Sequence, residues 1–278
     1  MQIFPLIFGA ISLLSPFVAL IVYMMYIGKT AEVHLTKPLQ AFLVFIPVPV
    51  LILLFDPQTS SLLLGLDAIF AVGLPVLIFL LTLKHNHILS NAFLAAYLVI
   101  AAWGILRYYL FQTYQNQLFE QGLQMVKDRL PALMDKSLTD QTLPIWKAII
   151  PAIWVVSQSI AWLIGFLFFE KNLQIPNKIT NLRFPVYYNI LIMAVLPLYF
   201  FDQTKVLFYN LLITLCVIPF IQGASLVWQR LSLIFTNRFI SGLFMIIIVL
   251  YANILLVLIG FANMWFSKRN LTIEGDAA

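Results

Sequence analysis

Residues 62–83 read LLLGLDAIFAVGLPVLIFLLTL, a run with a single ionisable side chain, Asp67. An α-helix rises about 1.5 Å per residue, so about 20 such residues cross the roughly 30 Å hydrocarbon layer of a bilayer with every backbone group bonded internally. The run is apolar on every face, whereas a membrane β-strand alternates apolar and polar residues over about 10 positions. It therefore predicts a membrane-spanning helix.

Working outward, seven more runs of this kind follow the same reading: Ile3–Ile27, Leu39–Phe55, Ala92–Leu110, Ile145–Phe169, Pro185–Phe201, Val206–Trp228 and Phe239–Phe266. The expected fold is all-α, a polytopic transmembrane bundle of about eight spans in one integral membrane domain, residues 1–278. Seven complete spans is the alternative, because Leu39–Phe55 is short and carries Pro47 and Pro49, which favour a kink or a re-entrant course. The first run lacks a basic flank and a small-residue cleavage site, so it reads as a retained span.

Composition agrees. Of the 278 residues 62% are hydrophobic and 10% charged, against about 25% charged in soluble domains. Mean hydropathy is +0.98. A water-soluble or disordered chain is excluded, and the formal charge of +5 suits loops beside anionic lipid better than a nucleic-acid surface. The lone Cys216 excludes an intramolecular disulfide and reads as a small buried hydrophobe.

Lys29, Lys37, Lys84, Lys171, Lys178, Arg183, Arg230 and Arg238 fall in loops on one side, here the first side. Lys205, Lys268 and Arg269 fall on the other. Lysine and arginine in short loops mark the cytoplasm, which places the first side inside and both termini outside. Lys268–Arg269, directly after the last span, weigh against that.

The longest connection, residues 111–144, has ordinary soluble chemistry. Leu118, Phe119, Leu123, Val126, Leu130, Leu133 and Met134 recur mostly at spacings of three and four. This is an amphipathic extramembrane helix broken at Pro131, lying on the membrane surface or serving as a lid or docking surface.

Ionisable groups inside a span cost about 2.5 kcal/mol or more and need a partner or a role. Asp67 lies one to two turns inside the third run, and Arg107 about one turn before the end of the fourth. Consecutive spans run antiparallel, so the two lie at similar depth and are expected to form a structural ion pair. The alternatives are a substrate or proton site at Asp67, or unpaired snorkelling. Gln158, Gln222, Asn210 and Asn253 also fall in apolar runs. Such amides hold helices together at about 0.6–2 kcal/mol per bond, or else Gln158, Gln222 and Asn210 line a ligand cavity. Ser15 with Ala19, Gly65 with Ala68, and Ala92 with Ala96 mark close helix crossings.

No catalytic constellation is complete. His34, His85 and His87 read as loop residues without zinc-ligand spacing, so no metal site is expected. Gly223-Ala224-Ser225 lacks an intramembrane histidine as base. Gly65-Leu66-Asp67 lacks the second acid of an aspartyl protease. There is no phosphate-binding glycine loop, and no cofactor is expected. Asn270-Leu271-Thr272 is a formal glycosylation sequon, without meaning in a bacterial protein.

Three stretches carry a family resemblance: Phe220-Ile221-Gln222-Gly223; Gly260 to Asn263 with Trp265 and Arg269; and Leu182-Arg183-Phe184-Pro185. Pro47-Val48-Pro49 adds a weaker match. Together they resemble the YybS-like family of bacterial polytopic membrane proteins, a domain of unknown function. Asn263 stands where that pattern has an acidic residue, and Ser267 where a second polar or acidic one is common. The resemblance implies a multi-pass protein of the bacterial cytoplasmic (inner) membrane. Its helical plan is similar to that of the substrate-binding subunits of energy-coupling vitamin transporters.

Two functions without catalysis follow. One is a small-molecule-binding or transport subunit. The other is a scaffold or assembly subunit of a larger membrane complex. Both have the lipid bilayer and membrane proteins as partners, and the first adds a small-molecule ligand.

Overall fold

The computed structural model describes residues 3–56, 58–129, 136–173 and 182–266, and these are all-α. Lys178 and the 267–278 segment, with Ser267, Lys268, Arg269 and the sequon, lie outside the described residues, as do Leu130, Pro131, Leu133 and Met134.

Among the described residues, five helices are long and apolar enough to cross a membrane, and a sixth region qualifies if a sharply bent helix pair is one span. The expectation of eight regular spans is therefore met in part, and the first and last runs depart from it most.

The first run divides into α1 (Phe4–Leu14) and α2 (Pro16–Lys29). Ser15 between them is extended, with φ −157° and ψ 106°. Its hydroxyl accepts from Val18 N–H, and Pro16 opens α2. Proline at the first helical position needs no hydrogen-bond partner, and a serine N-cap satisfies one of the free amides. The chain turns back here, because the Phe4 and Phe8 rings lie 5.4 Å from that of Tyr26. At about 16 Å and 21 Å, each arm is too short to cross alone. The run is a helical hairpin rather than one span.

Short α3 (Ala31–Thr36) leads to α4 (Pro38–Phe45) and α5 (Pro47–Phe55). Those two join at Ile46 with helical dihedrals and together form an 18-residue candidate span, so the prolines are accommodated without a reversal. The decisive run is α6 (Thr59–Asp67), a π-helical turn (Ala68–Gly73) and α7 (Leu74–Asn86), followed by α8 (Leu89–Leu110).

The long connection forms α9 (Gln112–Arg129) and α10 (Lys136–Ala148). They are tied by Lys147 Nζ to Glu120 Oε1 at 2.9 Å. Leu118, Met125 and Val126 on α9 are exposed.

The fifth run becomes α11 (Ile150–Leu173). The sixth is shorter than expected: α12 (Tyr187–Val195) and a 3-10 turn (Leu196–Phe200). Next comes α13 (Lys205–Ile234), then α14 (Arg238–Tyr251) and α15 (Asn253–Phe266), which meet at 97° around Ala252.

The core lies between α7, α8 and α11. Phe79 meets Trp162 at 5.4 Å and Phe93 meets Phe166 at 4.9 Å, both edge to face, the favoured geometry for aromatic pairs. α2 runs parallel along α11, with Phe17 beside Trp154 and Gly28 against the Phe169 backbone. Lys84 Nζ donates to Thr36 O at 2.8 Å, so α3 and the end of α7 share the first side.

α15 runs antiparallel to α13 and touches its backbone. A Cβ on Gly223 would lie 1.9 Å from Leu256 O, and one on Gly260 1.8 Å from Pro219 O. Only glycine fits at either position.

Candidate functional site

Asp67 closes α6, 3% exposed, directly before the π-helical turn. Trp103 and Arg107 stand one turn apart on α8 and face it. Oδ1 of Asp67 accepts from Trp103 Nε1 at 2.8 Å and from Arg107 Nε at 2.9 Å, while Oδ2 accepts from Arg107 Nη2 at 2.9 Å. The expected pair is thus a two-pronged fork, the strongest ion-pair geometry. The guanidinium also sits 4.6 Å from the centre of the Trp154 ring on α11, a cation–π contact. Its Nη1 donates to Gln115 Oε1 at 3.4 Å, and Gln115 Nε2 returns to Arg107 O at 3.3 Å. One ion pair therefore joins α6, α8, α9 and α11. Three of the roughly four acceptor positions of the carboxylate are occupied, so its chemistry is that of a tie between helices.

The three amides expected to line a ligand cavity, Asn210, Gln158 and Gln222, do not come together. Asn210 on α13 reaches the break between α10 and α11. Its Oδ1 accepts from Ala152 N–H at 3.0 Å, and its Nδ2 donates to Ala148 O at 2.7 Å. Those are backbone groups that helix ends leave without partners.

Gln158 on α11 donates from Nε2 to Ala71 O at 2.9 Å. Ala71 lies four residues before Pro75, which has no N–H to give it. Gln222 on α13 accepts from Phe184 N–H at 3.2 Å and donates to Asn263 Oδ1 at 3.1 Å. Residues from three separate stretches, 182–185, 220–223 and 260–263, therefore meet at this one side chain. Asn253 is exposed at the bend between α14 and α15.

Tyr188 repeats the proline arrangement and was not anticipated. Its hydroxyl donates to Leu215 O at 2.9 Å, and Leu215 lies four residues before Pro219. A second hydroxyl, that of Tyr97, donates to Thr214 O. The signal that would have found Tyr188 is Pro219 itself, since a proline within an apolar helix calls for a donor from another element.

A groove of about 660 Å³ opens between α11, α13 and the α14–α15 bend. Ser159, Ile160, Cys216, Phe220, Ala224 and Val257 are among its lining residues, and neither Gln158 nor Gln222 is. Ser159 donates back to Val155 O at 2.6 Å, and Asn253 is the one amide on a lining that is otherwise mostly apolar.

Among the described residues no three His, Cys, Asp or Glu side chains are grouped to hold a metal. His34 lies on α3 against the Tyr26 ring, and burial pushes its pKa down. His85 lies in the last turn of α7, and His87 caps that helix with φ 54°, in the left-handed region. Compared with known proteins, the chain matches no family model, no curated protein and no solved structure.

Proposed function

We propose that the chain is a multi-pass subunit of the bacterial cytoplasmic membrane, without catalysis of its own, that scaffolds a larger membrane protein complex. One observation carries this reading. Asp67, Arg107, Asn210 and Gln222 spend most of their hydrogen bonds on other helices or on the segment before α12, and Gln158 is anchored to another helix too, rather than around a shared cavity. Charge that serves an ion or proton path would face a cavity instead. The exposed apolar side chains of α14, such as Phe239, Leu243, Ile246 and Leu250, give such a subunit a lipid-depth surface for a neighbour.

A second reading, a small-molecule-binding or transport subunit, is favoured by the groove between α11 and α13. The resemblance to the YybS-like family, whose helical plan is similar to that of such subunits, points the same way by analogy alone.

The test is extraction of the tagged full chain from its own host in a gentle detergent, with mass spectrometry of all that co-elutes. The scaffold reading predicts a fixed stoichiometry with one other membrane protein and no bound metabolite, and crosslinks from α14 to that protein. A retained metabolite or an ATP-hydrolysing module would replace it with the transport reading. A lone, ligand-free chain would contradict both.

A further inference from the structure

We infer that the broken turn between Ala71 and Pro75 binds one ordered water molecule, held by Gln158 Oε1 and the indole N–H of Trp162. Gln158 and Trp162 are both 0% exposed. They stand four residues apart on α11, hence on one face with Cβ atoms about 6 Å apart. Gln158 Nε2 is anchored on Ala71 O, which fixes where its Oε1 points. Among the described residues, that oxygen and Trp162 Nε1 have no partner. One is an acceptor and the other a donor, and an unmet buried group of either kind costs about 1–3 kcal/mol.

The facing turn is short of donors. Leu74 N–H bonds Ile69 O, five residues back, in the π-helical register. Pro75 has no N–H, so the next amide along the helix is that of Val76. Phe70 O is thereby left without a donor from its own helix. A water accepts from the indole and gives its two protons to Gln158 Oε1 and to this carbonyl, the three bonds typical of a buried water. It lets a π-helical turn and a proline stand inside an apolar helix bundle, as ordered water does at other breaks of this kind. The inference goes beyond the scaffold reading and does not depend on it.

The test uses the full chain in lipid nanodiscs with ¹⁵N-labelled tryptophan. Trp162 is assigned as the indole signal that Trp162→Phe removes. The expected result is a through-space cross-peak between that indole proton and water that is lost in Gln158→Met, which keeps side-chain length but removes the acceptor. An indole proton without a water cross-peak in the parent protein overturns the inference, and so does a cross-peak that survives Gln158→Met. The parent spectrum decides even if that variant does not fold.

Discussion

At the scale of single residues, glycine and proline decide where backbones touch and where they open. Gly223 and Gly260 let α13 and α15 meet backbone to backbone. Gly260→Ala is expected to cost at least the 1–3 kcal/mol typical of overpacking, read as a lower melting temperature in detergent. Among the described residues nothing lies within 4 Å of where a Cβ on Gly122 of α9 would stand, so Gly122→Ala is expected to be neutral, or stabilising by up to about 1 kcal/mol from helix propensity. Equal losses at the two positions would refute the close crossing.

The prolines make a sharper case. Tyr188→Phe strips Leu215 O of the donor that replaces the missing amide of Pro219, at a cost of about 1–3 kcal/mol. Pro219→Ala restores an amide there, so Tyr188→Phe is expected to cost clearly less in that background. A double-mutant cycle with no coupling would show that the tyrosine does not serve this carbonyl.

At the scale of elements, hydropathy reports length and apolarity but not direction. The Leu62–Leu83 run and Ala92–Leu110 were legible because each is one long apolar segment between polar ends. The hairpin at Ser15–Pro16 was not, since a serine and a proline within an apolar run are also tolerated by a straight membrane helix. The bend at Ala252 carries no glycine or proline and leaves no mark in the sequence. The ion pair was legible because two lone charges in antiparallel spans had few alternatives, yet its third member, Trp103, looked like any core aromatic.

The hairpin changes the topology. With α1 folded back on α2, the Phe4 end lies beside Tyr26, close to the end of α2 that carries Lys29. A reporter fused before α1 is therefore expected on the same side of the membrane as one placed at His87, after α7. An unbroken first span, which the sequence alone had favoured with the termini outside, would put the two reporters on opposite sides.

At the scale of the whole molecule, the Asp67–Arg107 pair joins the apolar bundle to α9 through Gln115, and to α11 through Trp154. The central claim is that such groups hold the bundle together rather than serve a substrate or a proton. A buried pair has a distinctive energetic signature. Removing one partner strands the other and costs about 3–5 kcal/mol, while replacing both with apolar residues is often near neutral or stabilising. The decisive measurement is the unfolding free energy, in one fixed detergent, of Asp67→Leu, Arg107→Leu and the double substitution. The account predicts two severely weakened single variants and a double variant that regains most of the loss. A double variant as weak as the sum of the two singles would contradict it, and so would a single substitution of Asp67 that leaves stability unchanged.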